Sequence, residues 1–263
     1  MSTFTEDRAE PVRSLLATRA ADLVDRPLNI FPTVAADALG FALAGALMGY
    51  PDAAFSGRIK ELLSVPELIG HGAAEALARF LTWIGTPASL DDLRSEYIEC
   101  FDRSALSPLY EGEYGRVRMV SKTGVLADLS AFYQAFGFEL EEGDGHETGD
   151  HLAVELEFYA LLLMKELALS GLGDSAGVDI VRDARRKFVL EHLGGFVRGL
   201  ALRSEVTRSE PYAAAVGWIA ALVEAECALL GVDPPPAIGG GSAADSEEMK
   251  CGECALTALT QAK

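Results

Sequence analysis

Basic residues are few in this chain: 22 Lys and Arg stand against 40 Asp and Glu, a net charge of −18. Phosphate binding needs clustered cations, so no nucleic-acid partner is expected. The imbalance favours cationic partners through long-range attraction, although a purely solubilising role gives the same composition. Cysteine is scarce as well. Four in 263 residues do not make a disulfide framework. Long apolar runs are lacking. The most apolar stretch, Val34 to Met48, has 15 residues and contains Asp37, Gly40 and Gly45. It is too short to span a bilayer and reads as a buried helix, so no stable membrane insertion is expected. Met1 to Pro11 carries Glu6, Asp7, Arg8 and Glu10 around no apolar core, which is the pattern of neither a signal peptide nor a transit peptide. The expected localisation is cytoplasmic. Signatures of catalysis are missing too: there is no GxSxG elbow, no HExxH, no cysteine with a paired histidine and no phosphate-binding glycine loop.

What is present is helical periodicity. Apolar residues make up 49% of the chain, enough to fold, and the length is near the upper limit for one core. Val12, Leu15, Leu16, Leu23 and Val24 follow a three/four spacing that Arg19 interrupts. Thr33 is positioned to cap the apolar helix from Val34. A short helix is predicted over 56–64, and another buries Ile69, Ala73, Leu77, Phe80 and Ile84. Ser89 and Asp92 approximate a capping box for a helix carrying Leu90, Leu93, Tyr97, Cys100 and Phe101. The segment 102–117 is predicted as a loop long enough to be functional. Val125, Leu129, Phe132, Tyr133 and Phe136 form an amphipathic stripe. Asp150 is predicted to cap a long helix to about Ser170, with further helices over 179–202 and 212–230. No run of alternating β-branched residues appears. The fold class is therefore all-α, a compact bundle of about nine to ten helices. The expected division is a helical domain over 1–233 and a flexible tail over 234–263, because Pro234-Pro235-Pro236 and Gly239-Gly240-Gly241 open a polar stretch.

Two segments carry acidic and aromatic side chains beside loops: Glu96-Tyr97-Ile98-Glu99-Cys100-Phe101 and Asp150-His151-Leu152-Ala153-Val154-Glu155. Tyr97 and Phe101 at helical spacing also suit an ordinary core. From Gly137 to Met164 there are eight carboxylates and no Lys or Arg, a repulsion that a cationic ligand would relieve and that a solvated loop would tolerate. His146, Glu147, Asp150, His151 and Glu155 lack the spacing of a known metal motif, and no metal is expected there. Cys251-Gly252-Glu253-Cys254 is a lone CxxC that cannot complete a zinc site by itself.

The first segment resembles the E-Y-x-x-L-F element of the TorD/DmsD/NarJ family of assembly chaperones, with Cys100 in place of Leu. The second is similar to that family's P-D-H-(I/L)-x-x-E-L element, with Gly149 in place of Pro. Phe188, Glu191-His192-Leu193 and Phe196, followed by Pro211-Tyr212, resemble its F-x-x-E-H-L-x-x-W and P-F/Y pattern, Phe196 standing near where Trp is commoner. The likeness covers about residues 10 to 231. Pro108 to Gly115 and Leu126 to Gly137 look closest to members serving nitrate-, selenate-, perchlorate- and ethylbenzene-type enzymes.

The resemblance implies a cytoplasmic, non-enzymatic chaperone without a cofactor of its own. Its partner would be the catalytic subunit of a molybdoenzyme, bound through a twin-arginine signal peptide or N-terminal region, held for cofactor insertion and proofread before export. The candidate peptide-binding residues are Glu96, Tyr97, Phe101, Tyr133, Asp150, His151 and Glu155. Bidentate carboxylate–guanidinium pairing beside an apolar wall is the chemistry such a peptide requires. The rival readings are an all-helical hydrolase using Asp150, His151 and Glu155, and a structural subunit retained in the mature complex.

Overall fold

The structure is a computed structural model and describes residues 32–65, 76–101, 107–114, 121–140 and 147–239. The helix expected around Val12 to Val24, most of the one beginning near Pro66, and the CxxC lie outside the described residues. Among those described there are ten α-helices, one 3-10 turn, one π turn and no strand beyond a single isolated bridge. The all-α expectation holds.

Helix α1 spans Pro32–Leu47. It starts at the proline, whose missing N–H costs nothing in a first turn, so Thr33 lies inside the helix and not at its cap. Helix α2, Phe55–Leu63, buries Phe55 and Ile59 one turn apart. Helix α3 is Ala78–Trp83, with Phe80 inside. Helix α4, Pro87–Phe101, begins two residues before the expected cap. Thr86 and Ser89 exchange reciprocal bonds there: Ser89 N–H donates to Thr86 Oγ1 at 3.2 Å and Thr86 N–H to Ser89 Oγ at 3.0 Å. This is the capping-box geometry with Pro87 at the first helical position. The 3-10 turn is Glu111–Tyr114. Helix α5, Lys122–Ala135, is capped by Ser121 and buries Val125, Leu129 and Tyr133 at four-residue intervals.

Helix α6, Leu152–Leu172, is the axis of the fold and ends at Gly173 in the left-handed conformation, φ 73°. It runs against α1 and α7. Gly45 lets α1 approach: a Cβ there would sit 3.1 Å from the Ala153 carbonyl oxygen and from Glu157 Cγ. Helix α7, Ser175–Phe188, is capped by Asp174, four residues ahead of the expected start. The chain passes without a break through the π turn Val189–Leu193 into α8, Gly194–Ala201. Helix α9 is Ser204–Arg208, and α10 is Glu210–Leu230.

Helix α10 is long and apolar enough to cross a membrane by length and composition. It spends that apolarity inside the bundle, burying Val216, Ile219, Val223 and Cys227. Its Glu226 joins a buried ionic cluster. Arg185 of α7 pairs with Glu166 of α6 and with Glu226, its Nε lying 3.0 Å from Glu226 Oε1. Tyr159 donates its hydroxyl to the same Glu226. One guanidinium thus ties three helices together.

The break expected at residue 234 falls inside a docked segment. Ile238 is buried, and its N–H donates to the Gly195 carbonyl at 3.0 Å. Arg198 donates to the carbonyls of Pro234, at 3.2 Å, and Pro235, at 2.8 Å. Gly199 makes the approach possible, since a Cβ on it would stand 2.1 Å from the Ile238 oxygen. The proline run reads in sequence as a linker, but prolines need few backbone bonds and lie flat on a glycine-rich helix face. The packed unit therefore continues to Gly239.

Candidate functional site

The two segments singled out in the sequence meet through the loop 107–114. Tyr110 and His151 form the isolated antiparallel bridge. Glu111 N–H donates to the Asp150 carbonyl and Leu152 N–H to the Leu109 carbonyl, each at 2.8 Å. The loop is therefore laid across the start of α6.

This arrangement changes the roles of three candidate residues. Asp150 is not the cap of α6; His151 is, with Nδ1 accepting from Ala153 N–H at 3.2 Å. The Asp150 carboxylate turns instead to the loop, accepting from Gly112 N–H at 3.2 Å and from the Thr148 hydroxyl. Asp150, His151 and Glu155 are all buried, at 0%, 2% and 0% exposure. The loop 107–114 lies over them, so none of the three is open to solvent. Tyr133 is buried beside them and donates to the Gly149 carbonyl at 2.6 Å. Burial pushes its phenol well above the ordinary value, and the neighbouring charges of Glu155, Glu111, Asp150 and Glu157 add to the shift. Phe101 is core as well, edge-on to Tyr212 at 4.8 Å.

Glu96 and Tyr97 differ, being partly exposed. Tyr97 donates its hydroxyl to the Met48 carbonyl at 3.3 Å, which fixes the ring against the end of α1. Tyr50 stands edge-on to it, 5.5 Å between centroids, and is 47% exposed. Burial raises the Tyr97 phenol, and the charges of Glu147 and Tyr110 add to the shift. Tyr110 donates to Glu147, rests edge-on to His151 at 5.0 Å, and carries Lys122 Nζ 5.6 Å above its ring. Lys122 is in turn paired with Glu113 at 2.6 Å. A shallow groove runs here, lined by Pro108, Tyr110, Glu113, Lys122 and Thr148.

The partly or fully exposed side chains here are Tyr50, Glu96, Tyr97, Tyr110 and Glu147, a rim of three rings and two carboxylates. Of these, the sequence pointed to Glu96 and Tyr97. Tyr50, Tyr110 and Glu147 come from three separate loops. Their only sequence signal was the length of the loop holding Tyr110 and the acidity of the one holding Glu147. The rim offers no paired acid and base on a nucleophile. It can take a cation and an apolar side chain side by side.

A family model described as nitrate reductase delta subunit matches residues 68–201. The chain is 30% identical over 201 residues to a selenate reductase assembly chaperone protein of Thauera selenatis, covering 75% of this chain and 91% of that one. It is 29% identical over 200 residues to a chlorate reductase assembly chaperone protein of Ideonella dechloratans, with the same coverage. No solved structure matches significantly.

Proposed function

Because the chain belongs to the nitrate reductase delta subunit family, whose named relatives here are assembly chaperones and not enzymes, we propose that it is a cytoplasmic, system-specific chaperone for the catalytic subunit of a molybdoenzyme. In this reading it binds that subunit's twin-arginine signal peptide or N-terminal region, keeps the subunit available for cofactor insertion and delays export. The observation that supports the reading is the rim itself: partly exposed Glu96 and Glu147 accompany the rings of Tyr50, Tyr97 and Tyr110 in a chain of net charge −18. Carboxylates take guanidinium groups by bidentate bonds, and ring faces take both guanidinium planes and the apolar residues that follow them. Asp150, His151 and Tyr133 support the rim by holding the loop 107–114 and the start of α6, Phe101 packs against Tyr97 with ring centroids 5.3 Å apart, and Glu155 is buried in the first turn of α6.

The test is titration calorimetry of the full chain against the N-terminal peptide of its client subunit. Affinity falls steeply with salt, because attraction between exposed charges is screened over about 8–10 Å at physiological ionic strength. Glu147→Gln and Glu96→Gln each weaken binding by about fivefold, the upper range for a partly exposed ion pair, and leave thermal stability unchanged. Equal affinity for wild type and both variants at low salt would overturn the assignment of the rim, and absence of any affinity for the peptide would overturn the function.

A further inference from the structure

A second polar cluster lies on the far side of the 3-10 turn, outside the rim. His192, in the π turn, is 3% exposed. Its Nδ1 is 2.9 Å from Glu111 Oε2. A carboxylate only accepts, so Nδ1 carries a proton in this contact and Nε2 is the atom left to hold a second proton or a metal ion. Nε2 has no hydrogen-bond partner among the described residues and lies 3.3 Å from Oδ2 of Asp128 on α5. A carboxylate oxygen beside a ring nitrogen at that distance is a place for a cation, a proton on Nε2 or a metal ion between the two atoms. Glu191 completes the group: one ligand atom each from Asp128, Glu191 and His192 all lie within 4.8 Å of one another.

We infer that Asp128, Glu191 and His192 form a binding site for a divalent first-row transition metal ion such as zinc, with Glu111 as the carboxylate that orients the imidazole. The hydrogen-bonded second nitrogen is the usual companion of a metal-ligating histidine, fixing its tautomer and raising its basicity. One imidazole with two carboxylates suits zinc or its neighbours and not the all-oxygen preference of calcium or magnesium. Two ligands each about 2.0–2.2 Å from a tetrahedral zinc stand about 3.4 Å apart, so ligand atoms that lie within 4.8 Å of one another must close by up to about 1.4 Å. Asp128 and Glu191 are exposed side chains that can make that movement. Phe132 and Phe188, with centroids 5.7 and 5.3 Å from the His192 ring, hold the imidazole still. Three ligands leave a further position for water. The ion would join α5 to the π turn, and π turns recur at functional positions.

The experiment strips the full chain with a chelator and titrates it with zinc by calorimetry, in wild type and in a Cys251→Ser/Cys254→Ser background that removes the thiol pair. Binding of a single ion that survives the cysteine replacements is expected. Asp128→Asn and Glu191→Gln, both at the surface, each weaken it at least tenfold without loss of fold. Glu111→Gln weakens it by about 10- to 100-fold. Cobalt gives a second readout, a visible absorption band present in wild type and absent in Asp128→Asn. If no zinc binds, or if the affinity is the same in Asp128→Asn and Glu191→Gln as in wild type, the inference is overturned and a proton, not a metal, bridges His192 and Asp128. Neither outcome touches the peptide rim, which shares no residue with this cluster.

Discussion

Replacing Gly199 with Ala tests whether the chain beyond Asp233 is a docked part of the fold. Gly199 lies in a helix, where Ala is more favourable than Gly by about 1 kcal/mol. Taken alone, the substitution stabilises. But the new methyl would stand 2.1 Å from the carbonyl oxygen of Ile238. Both sides of that contact are backbone, so no flexible side chain can yield, and the separation must grow by more than an ångström. Overpacking of this kind costs about 1–3 kcal/mol, and the backbone clash puts Gly199→Ala at the upper end. The net expectation for the full chain is a loss of about 1–2 kcal/mol. The loss is capped, because releasing the segment relieves the clash; it cannot exceed the free energy that holds the segment down. In a chain ending at Asp233 the clash has no partner. Gly199→Ala then stabilises by about 1 kcal/mol. Urea unfolding of the four proteins gives the cycle directly, and the sign of the substitution reverses between the two backgrounds. Stabilisation by the same amount in both would refute the docking of Ile238 onto α8.

The buried ionic cluster gives a second expectation. Arg185→Ala leaves Glu226, 2% exposed, without its cation and Glu166, 2% exposed, with Arg182 alone at 2.8 Å, and lowers stability by about 3–5 kcal/mol; Arg185→Met with Glu166→Gln and Glu226→Gln recovers most of it, and a mild effect of the single change in urea unfolding would contradict the burial. A third concerns alkaline pH. Burial pushes the Cys100 thiol up to about 11 and the Tyr114 phenol up to about 12, and raises Tyr97, Tyr133, Tyr159 and Tyr212 as well. Folded values above ordinary ones mean that the unfolded chain ionises first. Their contribution is complete below about pH 9 and is lost as pH rises from there through about 12. The urea midpoint therefore falls steadily across that window, and a flat profile would show these groups to be accessible.

The helices were legible in the sequence because their signals are local. Val125, Leu129 and Tyr133 recur every four residues, and Gly173 and Gly231 stop their helices at left-handed positions. Caps were less legible where two candidates compete. Asp150 and His151 can both cap α6, and the choice falls to His151 only because Gly112 N–H, 38 residues away, claims the Asp150 carboxylate. The docked segment at Ile238 was hidden by its own composition, since three prolines and three glycines describe a linker as well as a strap. The cluster at His192 is less legible still. Asp128, Glu111 and His192 come from three places in the chain, and only folding puts them together. The candidate peptide residues divide on the same ground. The sequence marks Glu96, Tyr97, Asp150 and Glu155 alike as acidic or aromatic beside a loop, and only burial separates those that face solvent from those that hold the loop in place.

The bridge between Tyr110 and His151 has a topological consequence. It closes the chain on itself, so that everything between residues 112 and 149 is an excursion leaving from and returning to one point. Helix α5 lies on that excursion and is returned to the core by Val125, Leu129 and Tyr133, while α4 and α6 have contacts to the rest of the bundle of their own. Tyr110, Glu111 and Gly112 are thereby held against Asp150 and His151 across 38 residues of chain, and the register of α6 is set by that closure and not by the length of the excursion. For a flexible excursion a doubling in length costs only about 0.6 kcal/mol of closure entropy.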